Sequence, residues 1–165
     1  MSWQTDKKWS DRFVPELKRI AGEHLIGEAP LEEDAQRNTD LVVLKLDAVR
    51  IACRVRQNTY LHAYGNEFTV RSSRPAGTKT ELTKIIEGWG DYLIYGFASA
   101  DETQLEAWRL LDLNVFRLWL ARHMANHKGE LPGVTRQNRD GSSGFHVFDV
   151  TTAPPELVRA QKEAA

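Results

Sequence analysis

Residues 49–56 read VRIACRVR, a strict alternation of apolar side chains with arginine or alanine. A period of two suits an extended strand, because successive side chains leave a strand on opposite faces. Val49, Ile51, Cys53 and Val55 are therefore expected on an apolar inner face. Arg50, Ala52, Arg54 and Arg56 are expected on the outer one. A strand needs neighbours for its backbone groups, so this octet commits the chain to build a sheet.

The rest of the chain supplies the neighbours. DLVVLKL at 40–46 has the nearly continuous apolar run of a central strand, and Asp47-Ala48 is a tight link into 49–56. EFTVRS at 67–72 reads as a third strand, with Phe68 and Val70 inward and Arg71 outward. DYLIYGFA at 91–98 reads as a fourth. Residues 10–25 carry Phe13, Leu17, Ile20 and Leu25 at helical spacing, with Ser10 as cap and Pro15 in the first turns. Residues 78–87 form a second expected helix. Thr78 and Glu81 fit the T-x-x-E capping box, and Gly88 and Gly90 stop it.

Beyond residue 98, Asp101 is expected to cap a helix, and 113–126 to form another. Residues 127–144 read as a polar loop, 145–151 as a late strand, and Pro154-Pro155 as the start of a short helix. The fold class expected is α/β, a mixed central sheet flanked by helices. Its core runs helix, three strands, helix, strand over about 10–98, with a largely helical extension over 99–165. The 165 residues suit one domain.

Cys53 is the only cysteine, which excludes an intramolecular disulfide and a cysteine-based zinc site. A reducing, cytoplasmic setting is expected. MSWQTDKKWSDRF has no apolar stretch of the kind a secretory leader needs. No apolar run approaches the roughly twenty residues of a membrane span.

Net charge is −1, but the charges are segregated. Residues 23–47 hold seven acids against Arg37 and Lys45. Residues 49–84 hold seven bases against Glu67 and Glu81. This sets an acidic stretch beside a basic one. Arg50, Arg54 and Arg56 share a strand face, with Arg71, Arg74 and Lys79 following. Same-face neighbours on a strand lie about 7 Å apart, near the phosphate spacing along a nucleic-acid strand, and the guanidinium fork suits phosphate. The alternative is a solvated face or partners for nearby acids.

Among the acids, Asp40 stands at a strand mouth, a good position for a metal ligand. Glu81 either joins it or completes the capping box. Lys84 lies on the same helix side as Glu81, and Glu16 and Glu23 share a face of the first helix. Should Asp40, Glu81 and Glu23 converge, they would suit Mg²⁺ or Mn²⁺ with waters. His123 and His127, at i, i+4, read as surface residues, and Cys53 as a core thiol. Trp89, Tyr92 and Tyr95 suit base stacking or core packing. Gly-rich phosphate loops are absent.

The order of elements and the place of Asp40 resemble the PD-(D/E)xK nuclease-like family, over about residues 10–98. In that resemblance Glu23 (or Glu16) looks like the helical acid, and Thr39-Asp40 like the Pro-Asp step. Ala52-Cys53-Arg54 occupies the place of the (D/E)xK tripeptide. Since Ala52 replaces the acid and Arg54 the lysine, the resemblance implies that Glu81 supplies the acid and Lys84 the amine. WRLLDLNVFRLWL has the flavour of small, phage-type members.

The function so implied is metal-dependent cleavage of DNA phosphodiester bonds. Asp40 and Glu81 would hold the ion, Arg54 and Arg56 the scissile phosphate, and Lys84 would orient the water. One alternative is an inactive nucleic-acid-binding module on the same scaffold. Another is an interaction protein whose basic strip docks a partner, or its own acidic loop in a homodimer.

Overall fold

The computed structural model describes residues 8–25, 49–74, 77–138 and 140–164. The chain divides into two compact units, Met1–Val49 and Arg50–Ala165. Asp40 and the strand expected over 40–46 lie outside the described residues.

In the first unit, helix α1 spans Val14–Leu25. Phe13, Leu17 and Ile20 recur along one stripe and are buried. Pro15 falls at the second helical position, where no intrahelical N–H is needed. Ser10 is not the cap of this helix. It lies in a separate preceding helical turn, and its carbonyl accepts from the Phe13 N–H at 3.1 Å.

The second unit holds two sheets. Strands β1 (Ile51–Arg56), β3 (Tyr92–Ala98), β4 (Leu105–Asp112) and β7 (Val158–Lys162) form a mixed sheet in the order β1-β3-β4-β7, with β1 parallel to β3. Strands β2 (Glu67–Ser73), β5 (Val134–Gln137) and β6 (Gly144–Asp149) form an antiparallel sheet in the order β2-β6-β5. The remaining helices are α2 (Leu61–Tyr64), α3 (Glu81–Ile86) and α4 (Leu113–Asn126). The class is α/β, as expected. The strands at 51–56 and 67–73, consecutive in sequence, lie in different sheets.

The apolar run of β3 suits its central place, and Leu93, Ile94, Tyr95, Phe97 and Ala98 are all buried. One face of the mixed sheet, with Leu93, Tyr95, Phe97, Ala107 and Leu111, joins Phe68, Val70 and Phe148 of the second sheet and Phe116 and Leu120 of α4 in a single apolar core. Within it Phe148 stacks on Phe68 at 5.2 Å between ring centres and meets Phe116 edge-on at 4.9 Å.

Several expectations are corrected. Segment 105–112, LEAWRLLD, is rich in helix formers yet is a strand. Pairing with β3 and β7 on either side overrides its weak local preference. Asp101 therefore caps no helix. It closes a turn, accepting from the Ser99 hydroxyl at 2.5 Å and the Thr103 hydroxyl at 2.9 Å. Asp112 is the cap of α4, accepting from the N–H groups of Asn114 and Val115. The polar loop expected over 127–144 contains β5, and after Pro154-Pro155 a 3₁₀ turn leads into β7 rather than a helix. Helix α3 is capped by Thr80, whose hydroxyl accepts from the Thr83 N–H at 3.2 Å, so Thr78 and Glu81 form no capping box.

The faces of β1 are also inverted. Ala52, Arg54 and Arg56 lie in register with Leu93, Tyr95 and Phe97, on the face that meets the second sheet. Ile51 and Val55 are half-buried on the opposite face, and Cys53 there is exposed rather than a core thiol. Alternation gave the two faces correctly but not their sides.

Arg109 of β4 is buried and ties distant segments together. Its guanidinium donates to the Gly65 carbonyl, to Gln161 Oε1 at 3.3 Å and to Glu163 Oε1 at 3.1 Å. This fastens the turn after α2 to β4 and β7. Glu163 is largely exposed, so its ion pair adds little. The bonds of the buried guanidinium and the packing of its stem carry the effect. Arg109→Ala is expected to cost about 2–3 kcal/mol, read as a lowered urea midpoint. A loss below about 0.5 kcal/mol, the size of an ordinary surface change, would refute the clamp.

Candidate nucleic-acid interface

The inverted β1 directs its arginines at the second sheet. Arg54 Nη1 donates to the Thr69 carbonyl at 2.9 Å and to Thr69 Oγ1 at 3.3 Å, and its Nη2 donates to Glu81 Oε2 at 2.6 Å. The same Glu81 oxygen accepts from the Arg71 N–H at 3.1 Å. Arg54 is thus a half-buried fixture rather than a solvent-facing phosphate ligand. Glu81 is the acid that neutralises it.

Arg56, two residues on, is differently placed. Its guanidinium lies 4.4 Å from the Tyr60 ring centre, and Nη1 reaches Thr69 Oγ1 at 3.3 Å. Tyr60 closes a 3₁₀ turn (Asn58–Tyr60), and Tyr64 ends α2, so helical spacing sets the two rings 6.4 Å apart. Arg136 of β5 lies over Tyr64 at 5.7 Å. Both tyrosines are exposed, at 39% and 37%. Arg50, before β1, lies 5.6 Å from the ring of Trp89, which is 58% exposed. Gly88 and Gly90, both at positive φ, make the bends that hold Trp89 out. Three arginines therefore sit on three exposed aromatic rings.

Arg56, Tyr60, Tyr64 and Arg136 border a cavity of about 120 Å³ between the sheets, walled by Thr69, Tyr95, Phe97, Phe145 and Val147, with Glu67 the one carboxylate against the two guanidinium groups of its lining. Arg71 and Arg74 lie further along β2 and just beyond it, Arg74 exposed. Burial pulls the Arg71 guanidinium below its ordinary value, and the charges of Arg74 and Arg54 add to that, with Glu81 opposing. One carboxylate facing several guanidinium groups leaves this edge positive, and an added anion relieves the repulsion.

The other expected site residues are dispersed. Lys79 pairs with Glu87 at 2.7 Å on the surface, and Lys84 is exposed on α3. Glu23 belongs to the first unit, where it pairs with Arg19 at 2.7 Å; Glu16 sits in the first turn of α1. Among the described residues, no group of three or more His, Cys, Asp or Glu side chains is placed to hold a metal ion. His123 and His127 stack at 3.8 Å at the C-terminal end of α4, His127 being its C-cap. Trp89 is exposed, Tyr92 half-buried and Tyr95 buried, so core packing claims Tyr95 of the three aromatics.

Tyr60, Tyr64, Thr69 and Arg136 were not among the residues the sequence singled out. The Tyr-x-x-x-Tyr spacing directly after the arginine strand is the signal for the first two. Arg136 is hidden in a segment that reads as loop.

No protein-family model, curated protein or solved structure matches this chain. Its class is set by geometry: an α/β unit of two sheets with an arginine–aromatic rim around an inter-sheet cavity. No described helix is long and apolar enough to cross a membrane.

Proposed function

We propose that this chain binds single-stranded nucleic acid on the arginine–aromatic surface, as a binding module rather than a cleaving enzyme. The observation that carries this is the seating of Arg56 on Tyr60 and of Arg136 on Tyr64 at one cavity mouth. Single strands are held by cationic groups that follow the backbone and by aromatic rings on which unpaired bases stack. Both elements are present at this mouth, and Arg50 with Trp89 repeats them. Duplex DNA keeps its bases stacked and would leave the rings unused.

Magnesium-assisted cleavage would draw on Glu81, whose carboxylate already accepts from Arg54 and from the Arg71 N–H. A cation there would have to displace a 2.6 Å ion pair. This favours binding over the nuclease activity that the family resemblance implies.

The test is anisotropy of a labelled single-stranded oligonucleotide across a salt series. Each phosphate neutralised on a single strand contributes about −0.7 to the slope of log affinity against log salt. A slope steeper than about −2 is expected, together with at least a tenfold loss in the Arg56→Ala, Arg136→Ala double variant, as several phosphate contacts would give. A flat salt response would overturn the proposal. So would cleavage of the oligonucleotide in Mg²⁺ or Mn²⁺ that Glu81→Gln abolishes, which would restore the nuclease.

A further inference from the structure

The cavity between the sheets has a size, a wall and a floor that together specify an occupant, and this inference rests on the single-strand reading above. We infer that it receives one unpaired pyrimidine base from a bound strand. The volume, about 120 Å³, comes first. A closed cavity of about 150 Å³ takes one benzene-sized ring, so this smaller space, open at its mouth, matches one six-membered ring, and a purine would leave its second ring outside. The walls come second. Phe97, Phe145 and Val147 offer apolar and aromatic contact to a flat ring, while Arg56 and Arg136 at the mouth stay beside the phosphates that carry it.

The floor supplies recognition. Thr69 Oγ1 accepts from Arg54 at 3.3 Å and from Arg56 at 3.3 Å, which occupies both of its lone pairs. Its own proton must then serve the remaining contact, to Tyr95 Oη at 3.1 Å. Tyr95 is therefore the acceptor in that bond, and its phenolic proton is released for another partner. Tyr95 lines the cavity, and the released donor is assigned to the guest. Cytosine, thymine and uracil all carry a ring carbonyl beside the glycosidic nitrogen that accepts such a bond. The two arginines thus set the direction of a hydrogen bond that neither makes to the base.

The experiment uses the full chain and three labelled strands of equal length: oligothymidylate, oligodeoxyadenylate and an abasic deoxyribose-phosphate oligomer. Oligothymidylate is expected to bind roughly tenfold tighter than either of the others, within what one stacked base contributes. Tyr95→Phe keeps the ring and removes the donor. It is expected to erase about fivefold of that preference, one neutral hydrogen bond's share, with a modestly lowered thermal midpoint because the buried Thr69 proton loses its acceptor.

Equal affinity for all three strands would overturn the base pocket while leaving a phosphate-binding module. Tighter binding of oligodeoxyadenylate would overturn it too, as would a Tyr95→Phe variant that keeps the full preference. Failure of every strand to bind would overturn the single-strand reading itself, and the pocket with it.

Discussion

Phe148→Ala is expected to cost about 4 kcal/mol, the range found when a buried phenylalanine is truncated in a close-packed core. Phe148 is fully buried, and its ring meets three aromatic partners on other elements: Phe68 stacked at 5.2 Å, Phe116 edge-on at 4.9 Å and Trp119 at 6.1 Å. The first belongs to β2 and the other two to α4, so one side chain joins the second sheet to the longest helix of its unit. Truncation loses the transfer energy of the ring and leaves a void, because residues on rigid elements collapse only partly into it. A loss of this size is comparable with the whole stability of a marginal domain. Equilibrium urea unfolding checks it. A loss below about 1.5 kcal/mol, the cost of a tolerated volume-conserving swap, would mean that the aromatic cluster is not the junction of the two layers. Phe148→Leu is expected to lose clearly less, since it refills most of the volume.

Gly133→Ala is expected to be nearly as damaging, through a different cause. Gly133 stands just before β5 at φ +89, where an L side chain is strained. A methyl group there would lie 2.0 Å from the Val147 carbonyl oxygen, a backbone atom that cannot rotate aside. The pairing of Val134 with Val147 must then open. Opening it disturbs the bond between His146 Nε2 and the Pro132 carbonyl at 2.7 Å and the contact of Thr135 with His146 at 3.1 Å. A loss of about 3 kcal/mol is expected, the upper range for one strained residue. Amide exchange over 134–137 should accelerate as the edge strand detaches. Because Arg136 rides on β5, oligonucleotide affinity should fall in parallel. Unchanged exchange in that segment would refute the steric account.

What could be read in advance follows the strength of each local signal. Helix α4 was legible from its long apolar pattern, and β3 from its run of apolar residues, because burial dominates both. Strand β4 was hidden because Leu, Glu, Ala and Arg favour helix in isolation, and only neighbours on both sides make it a strand. Strand β5 is four exposed residues with no apolar stripe to announce it. In the candidate site, alternation exposed the arginines of β1 but not which layer they would meet. That depends on β2 leaving the sheet of β1 to pair with β6, a long-range choice with no local signature. Arg54 and Glu81 are far apart in sequence, so their ion pair, which removes both from the solvent face, was equally illegible.

The partnering of β2 with β6 also sets a timetable. Phe68 must wait for Phe148, and Arg56 must wait for Arg136, so the rim closes only once the C-terminal part of the chain has emerged. Distant pairings of this kind form late and slowly, since the intervening chain is ordered before the contact is gained. A nascent or prematurely ended product that stops short of β6 would display Phe68 and Val70 uncovered, an invitation to self-association. On the proposed reading, competence to hold a strand would thereby signal that synthesis has passed β6.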